Sequence, residues 1–401
     1  MNKLFFEYWQ LPREGKLLLD LAVRKTPEQL PEDLDWAYFD ALLKQHRIQP
    51  LLLRALRSLE PGKYPELDRY RAMQGKLTRD SMARLQTLAA VNAAFSDSGI
   101  RLLSMKGPLL SVELYGDPSM RSSRDLDLMV DQGDLKRAGA ILEGMGFVRK
   151  ENPYAATPLR YKFFEKIEHE KHEVYHKGEL CLELHWQSDY QTDQSFDALW
   201  AGREERQLLG RSIAVMGPAD RFPALIIHAA EHGFLRLRWL LDLYELQKKP
   251  YFSWEQVYDA MHSQGVGEIL LETMLVMYRL DLPGLSDVCC DRFRLTRTDR
   301  GVALETAPEL AEEACRAAKL CEAVYPLLLR EVRPTEPEWK AYDRCLPTSM
   351  YGKTLLQQLL LVLGPTKFEF ELIDLPDWLF WLYFLIRPFN WLRRKLFGGK
   401  E

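Results

Sequence analysis

At 401 residues the chain is long enough for two or three domains with sizeable cores, and a charged fraction of 28% beside a hydrophobic fraction of 47% excludes a disordered or fibrous chain. The 54 Lys and Arg stand against 58 Asp and Glu, a balance that excludes a strongly basic nucleic-acid coat; nucleic acid is not indicated as a partner. Cysteines at positions 181, 289, 290, 315, 321 and 345 form no C-x-x-C pair, so they read as reduced thiols rather than a zinc centre. The opening MNKLFFEYWQLPREGK shows neither the apolar segment nor the cleavage site of a signal peptide, so the expected location is cytoplasmic.

Residues 1–95 read as an N-terminal helical region. WAYFDALLKQHRIQPLLLRAL and LTRDSMARLQTLAAVNAAFSDSGI both repeat apolar residues three and four apart. The character changes over 96–216. GIRLLSMKG is a short apolar run ending at Lys106-Gly107, and Pro108 opens a helix, PLLSVELYG, at the position proline tolerates best. DLDLMV is a second strand, and DQGDLKRAGAILEGMGF is a helix with an Asp cap and a Gly stop. KHEVYH and ELCLELHW then form a hairpin, with Lys177-Gly178 expected as its two-residue loop. That loop would set His172 opposite Glu183. Residues 217–330 read as helical throughout, beginning with PADRFPALIIHAAEHGFLRLRWLLDLYELQ, and 331–401 as a proline-punctuated tail ending in an aromatic and basic helix. The apolar run Trp378 to Ile386 is too short to span a bilayer.

The charge in DLDLMV needs a reason. Residues two apart on a strand face the same way, roughly 6 to 7 Å apart, so Asp125 and Asp127 converge while Leu126 and Leu128 turn to the other face. Two neighbouring anions repel, and each is costly to desolvate without a cation or donor beside it. Divalent magnesium is a natural solution, since it takes hard oxygen ligands and substrate phosphates, and a pair of ions can clamp both oxygens of a phosphoryl displacement. Glu183 is the expected third carboxylate: Cys181, Glu183 and His185 alternate with Leu180, Leu182, Leu184 and Trp186, which supply a core face.

The series MKGPLLSVELYGDPSMRSSRDLDLMV, GMGF and LELHW resembles the bacterial uncharacterised nucleotidyltransferase family of the DNA polymerase beta-like superfamily. HAAEHGFLRLRWLLDLYEL and HRIQPLLLRAL extend the resemblance over about residues 40 to 250, with a weaker echo in LIRP. It implies an α+β fold, a small mixed-sheet core flanked by N-terminal and C-terminal helical regions. It further implies an enzyme that moves a nucleoside monophosphate from a nucleoside triphosphate to an acceptor hydroxyl, with two Mg2+ ions on Asp125, Asp127 and Glu183. The superfamily usually carries a Gly-Ser or Gly-Gly turn a dozen or so residues before the aspartates. Here Lys106-Gly107-Pro108 takes that place, and Asp125 follows Gly107 by eighteen positions, so Lys106, Arg121 and Arg124 are expected to supply the positive charge for the triphosphate.

Two other readings compete. One is a noncatalytic module that keeps the fold and binds a partner. The other is a zinc hydrolase, because His228-Ala-Ala-Glu231-His232 matches H-x-x-E-H, although His228, His232, Arg236 and Asp242 fit better as lining of the cleft or as an interdomain contact. The segment 377–397 mixes Trp378, Trp381 and Trp391 with Arg393, Arg394 and Lys395; docking on the protein's own groove is favoured over contact with a membrane surface. The acceptor and the base of the triphosphate are not legible.

Overall fold

The two aspartates lie on an inner strand of a seven-stranded mixed sheet whose two faces are covered by different sets of helices. The computed structural model describes residues 3–7, 11–23, 29–55, 64–150, 159, 172–187, 195–280, 282, 294–305, 311–328 and 363–397. In chain order β1 (Lys3–Glu7), α1 (Arg13–Ala22), α2 (Trp36–His46), α3 (Gln49–Ala55) and the long α4 (Pro65–Asp97) precede the sheet. β2 (Leu102–Ser104), α5 (Pro108–Tyr115), β3 (Asp125–Val130), α6 (Leu135–Gly144), β4 (Val148–Arg149), β5 (His172–Lys177), β6 (Leu180–His185), α7 (Phe196–Ala201), β7 (Glu204–Leu208) and β8 (Arg211–Val215) build it. There follow α8 (Pro218–Glu231), α9 (Leu237–Leu246), α10 (Trp254–Ser263), α11 (Gly267–Arg279), the hairpin β9 (Leu295–Thr298) and β10 (Gly301–Glu305), α12 (Ala311–Leu328), α13 (Lys367–Leu372) and α14 (Leu382–Phe397). The fold is α+β, with a mixed sheet flanked by helical regions, as the family resemblance implies.

Strand order in the sheet is β4-β5-β6-β3-β2-β8-β7; β3 runs parallel to β6 and antiparallel to β2, and β8 runs parallel to β2. Alternation divides the faces cleanly. Leu102, Leu126, Leu128, Val130, Leu182, Leu184 and Ile213 pack under Leu88, Val91 and Phe95 of α4 and Leu142 of α6. Leu103, Met129 and Ala214 turn the other way, into the larger core that holds α5 and the helices α8 to α11. The catalytic candidates share this second face with Met129, at the border between sheet and helical layer.

Several expectations need correction. The first 95 residues are not all helical, because β1 pairs antiparallel with β10, with Phe5 opposite Ala303, and makes a three-stranded sheet β1-β10-β9. That sheet also interrupts the stretch expected to be helical up to residue 330. The hairpin β7–β8 lies in GREERQLLGRSIAVMG, where charged residues break the apolar alternation that would mark strands. The β5–β6 loop is Gly178-Glu179 rather than Lys177-Gly178: Lys177 pairs with Leu180, His172 with His185 and Val174 with Glu183. Gly178 has φ 58, which places the glycine at the loop position that needs positive φ. The shift is by a whole cross-strand pair, so every side chain keeps its predicted face.

Phe370, Phe380 and Tyr383 form a small core of their own, while Trp378 and Phe389 are each 75% exposed and Trp381 and Trp391 are exposed too. Phe389, with Leu372, Ile373 and Leu385, lines an open groove of about 420 Å³. Residues 329–362, His169, Cys289, Cys290 and Cys345 lie outside the described residues. No described helix is long and apolar enough to cross a membrane.

One buried group in the helical layer carries an energetic consequence. Glu272 of α11 is fully buried, burial and then the neighbouring Glu268 push its carboxyl well above the usual range, and neither oxygen has a hydrogen-bond partner among the described residues. A carboxyl whose folded pKa is raised loses its contribution as pH rises through that value. Glu272→Met is therefore expected to increase stability to urea at pH 8 by about 1–3 kcal/mol, with the gain shrinking as the pH is lowered.

Candidate active site

Local sequence fixes where the acids point. β3 and β6 pair in parallel with Asp125 beside Cys181 and Asp127 beside Glu183, and paired residues of neighbouring strands share a face. Leu126, Leu128, Leu182 and Leu184 are all buried on the opposite face. Slipping either strand by one residue would put carboxylates into that apolar layer, so the leucines hold the acids outward. Asp127 is 8% exposed, and Asp125 and Glu183 are partly exposed at the same edge. The Met105 amide donates to the Asp127 carbonyl at 3.0 Å, continuing the ladder to the Lys106-Gly107 turn.

The electrostatics are those of crowded anions. Burial raises the pKa of Asp125, repulsion from Asp127 and Glu183 raises it further, and Arg121 and Arg238 pull in the opposite direction. Burial, then Glu183 and the two aspartates, push the Cys181 thiol up to about 11, so it stays protonated. Two histidines join the acids. His185 is 2% exposed, with Nε2 at 3.6 Å from Glu183 Oε2 and 3.7 Å from Asp127 Oδ1; His172 Nε2 lies 4.0 Å from Glu183 Oε2. Among the described residues the one group of at least three ligand types drawn within 4.8 Å is His172, Glu183 and His185; Asp125 and Asp127 stand outside it. The sequence had set both histidines on this face without assigning His185 a role.

The positive groups are distributed differently from expectation. Lys106 is buried, and its Nζ donates to His228 Nδ1 at 3.0 Å, which draws the H-x-x-E-H segment into the same cleft. Gly107 has φ 88, which no other residue adopts without strain, and it caps α5 where Pro108 begins the helix. Arg121, expected at the triphosphate, is committed instead to a buried pair: Nε donates to Asp242 Oδ2 at 2.8 Å and Nη1 to Ser123 at 3.0 Å, with the two charged side chains 4% and 1% exposed. Burial opposes its charge, but Asp242 outweighs that and raises its pKa. Arg124 is exposed, its carbonyl accepting from Arg84 at 3.5 Å. The loop between α5 and β3 is folded by Asp117, which accepts from the Ser119 amide and hydroxyl, and by Ser111, whose hydroxyl accepts from the Arg121 amide.

Sequence reasoning missed Arg238. Its guanidinium is buried, donates to the Ser122 carbonyl, and has its pKa lowered to about 9, first by burial and then by Arg121. The signal was the RLRW stretch at the start of α9, where a second arginine falls inside the first turn of a wholly buried helix. Asp242, expected to line the cleft or to stabilise an interdomain contact, is the buried partner of Arg121.

The family model of the uncharacterised nucleotidyltransferases matches residues 32–280, more than half of the chain, and the chain belongs to that family. It is a nucleotidyltransferase enzyme, and the noncatalytic and zinc-hydrolase readings give way to that assignment. Among solved structures, it is similar to the solution structure of the antibiotic-resistance factor ANT(2'')-Ia, at 14% identity over 48% of this chain and 97% of that chain, with a TM-score of 0.33. It is also similar to the crystal structure of ANT(2'')-Ia in complex with adenylyl-2''-tobramycin, at 15% identity over 48% of this chain and 95% of that one, TM-score 0.28. No curated protein matches the chain.

Two outcomes follow from the charges. Arg121→Met leaves the Asp242 carboxylate buried without its counter-charge and is expected to cost about 3–5 kcal/mol in urea denaturation; Arg121→Met with Asp242→Leu should recover most of it. Asp125→Asn removes one of three mutually repelling anions, so the metal-free variant is expected to melt higher than the parent at neutral pH. Because the parent carboxyl is neutral below its raised pKa, that difference should vanish as pH falls, which calorimetry across pH reads directly.

Proposed function

We propose that the enzyme is a magnesium-dependent nucleotidyltransferase that moves a nucleoside monophosphate from a nucleoside triphosphate to an acceptor hydroxyl. The observation that carries this reading is the β3–β6 register, which sets Asp125, Asp127 and Glu183 on one face, with Asp125 and Glu183 partly exposed. The donor set suits a hard divalent cation: carboxylate oxygens that raise one another's proton affinity gain most from a shared positive charge. Asp125, Asp127 and Glu183 would hold the ions, two in this reading. When bound, such ions polarise the phosphoryl oxygens and neutralise charge on the leaving group.

The chain's own residues do the rest. Lys106, steadied by His228, presents a point charge to the triphosphate at the glycine turn, where the Gly107 backbone allows close approach. Arg121 acts through Asp242, holding the loop that leads into β3, and Arg124 at the rim offers a second contact for phosphate oxygens. Glu183, the more exposed of the paired acids, accepts the proton of the acceptor hydroxyl as its oxygen attacks the α-phosphorus in line; the bond to the bridging oxygen breaks and pyrophosphate leaves.

Asp127→Asn is expected to keep the fold, as judged by circular dichroism, and to lower transfer of label from an α-labelled triphosphate to components of a cell extract by more than about 100-fold. Undiminished labelling by this variant would contradict the reading.

A further inference from the structure

We infer that His172, Glu183 and His185 form a binding site for a divalent transition-metal ion, adjoining the carboxylate face and sharing Glu183 with it. The backbone prepares the arrangement. His172 pairs directly with His185 across β5–β6, and Glu183 precedes His185 by two residues on the same face of β6. The three ligand atoms lie within 4.8 Å of one another, and the two imidazole rings sit 4.8 Å apart between centroids at 35°.

Metal–nitrogen and metal–oxygen bonds of this class measure about 2.0–2.2 Å, so bound ligand atoms end up roughly 3–3.5 Å apart. The observed 3.6 and 4.0 Å from the imidazole Nε2 atoms to Glu183 Oε2 require an approach of about half an ångström, and the two imidazole nitrogens, within 4.8 Å of each other, close by up to about 1.5 Å through a turn of the His172 ring. The burial pattern allows it: His185 is held rigidly at 2% exposure, while His172 at 35% and Glu183 at 26% keep room to adjust. Asp127 Oδ1, 3.7 Å from His185 Nε2, supplies a further oxygen on the same side.

The donor chemistry selects the ion. Two imidazole nitrogens and a carboxylate suit zinc, iron, cobalt, nickel or copper, whereas magnesium prefers an all-oxygen set. The carboxylate face suits magnesium; the adjoining pair of histidines favours the softer ion. Glu183 enters both this inference and the proposed transfer reaction, yet the inference needs no triphosphate.

The test titrates Co2+ into tag-free, metal-stripped full-length protein and follows the visible ligand-field bands, with no nucleotide present. One equivalent should bind, resist excess Mg2+ and be displaced by Zn2+. His172→Gln and His185→Gln should each weaken binding at least about tenfold, while His176→Ala, on the exposed end of the same strand, should leave it unchanged. Should His185→Gln fail to fold by circular dichroism, His172→Gln on the half-exposed ring decides. Binding equal in His172→Gln and the parent, ready displacement by Mg2+, or no binding would overturn the inference. An Asp125→Asn protein that no longer binds magnesium and triphosphate but still binds Co2+ separates this site from the transfer reaction.

Discussion

The parallel pairing of β3 with β6 is the constraint on which the rest of the molecule depends. Four leucines on one face of these two strands are buried beneath α4 and α6, each contributing about 1.5–3 kcal/mol. Three carboxylates occupy the other face and repel one another. The leucines win because apolar burial is summed over every residue of the pair, whereas the acids are crowded at one edge where solvent still reaches them. The strain that remains sits where a cation would relieve it.

A second set of contacts fixes the helical layer to that face. Arg121 from the loop before β3 reaches Asp242 on α9, Arg221 of α8 donates to Glu113 of α5 at 2.9 Å, and Lys106 reaches His228 on α8. All three join the strand–turn–helix unit to the pair of helices over it. A buried ion pair adds little net stability over an apolar substitute, but it tolerates few alternative arrangements. Its contribution here is therefore to position: it sets the height of α8 and α9 above the carboxylates and carries Arg238 inward. The residues matched by the family model, 32–280, contain all three contacts.

Much of the site was legible because it rests on alternation. Asp125, Asp127 and Glu183 could be assigned a common face from period-two patterning alone, and the Lys106-Gly107-Pro108 turn from the conformational demands of glycine and proline. What escaped depends on geometry that no local pattern encodes. The partner of Arg121 lies 121 residues away on α9, and nothing near Arg121 distinguishes a buried arginine from one awaiting phosphate. His185 fell on the correct face, but its closeness to His172 required the true turn, in which Gly178 takes the first loop position. β1 and β10 pair across about 300 intervening residues, and β7 and β8 are too charged to read as strands. The C-terminal helix was expected to dock on the protein's own groove; among the described residues Phe370, Phe380 and Tyr383 form a small core, and the tryptophans are exposed.

The central claim is that the β3–β6 face gathers divalent ions and a triphosphate together. A crystal of the protein grown with manganese and a nonhydrolysable triphosphate, with anomalous differences recorded at the manganese edge, tests it most directly. The account predicts an anomalous peak coordinated by Asp125, Asp127 and Glu183 and bridged to the triphosphate, whose tail lies beside Lys106. A nucleotide bound elsewhere, or a manganese peak with neither aspartate among its ligands, would contradict it.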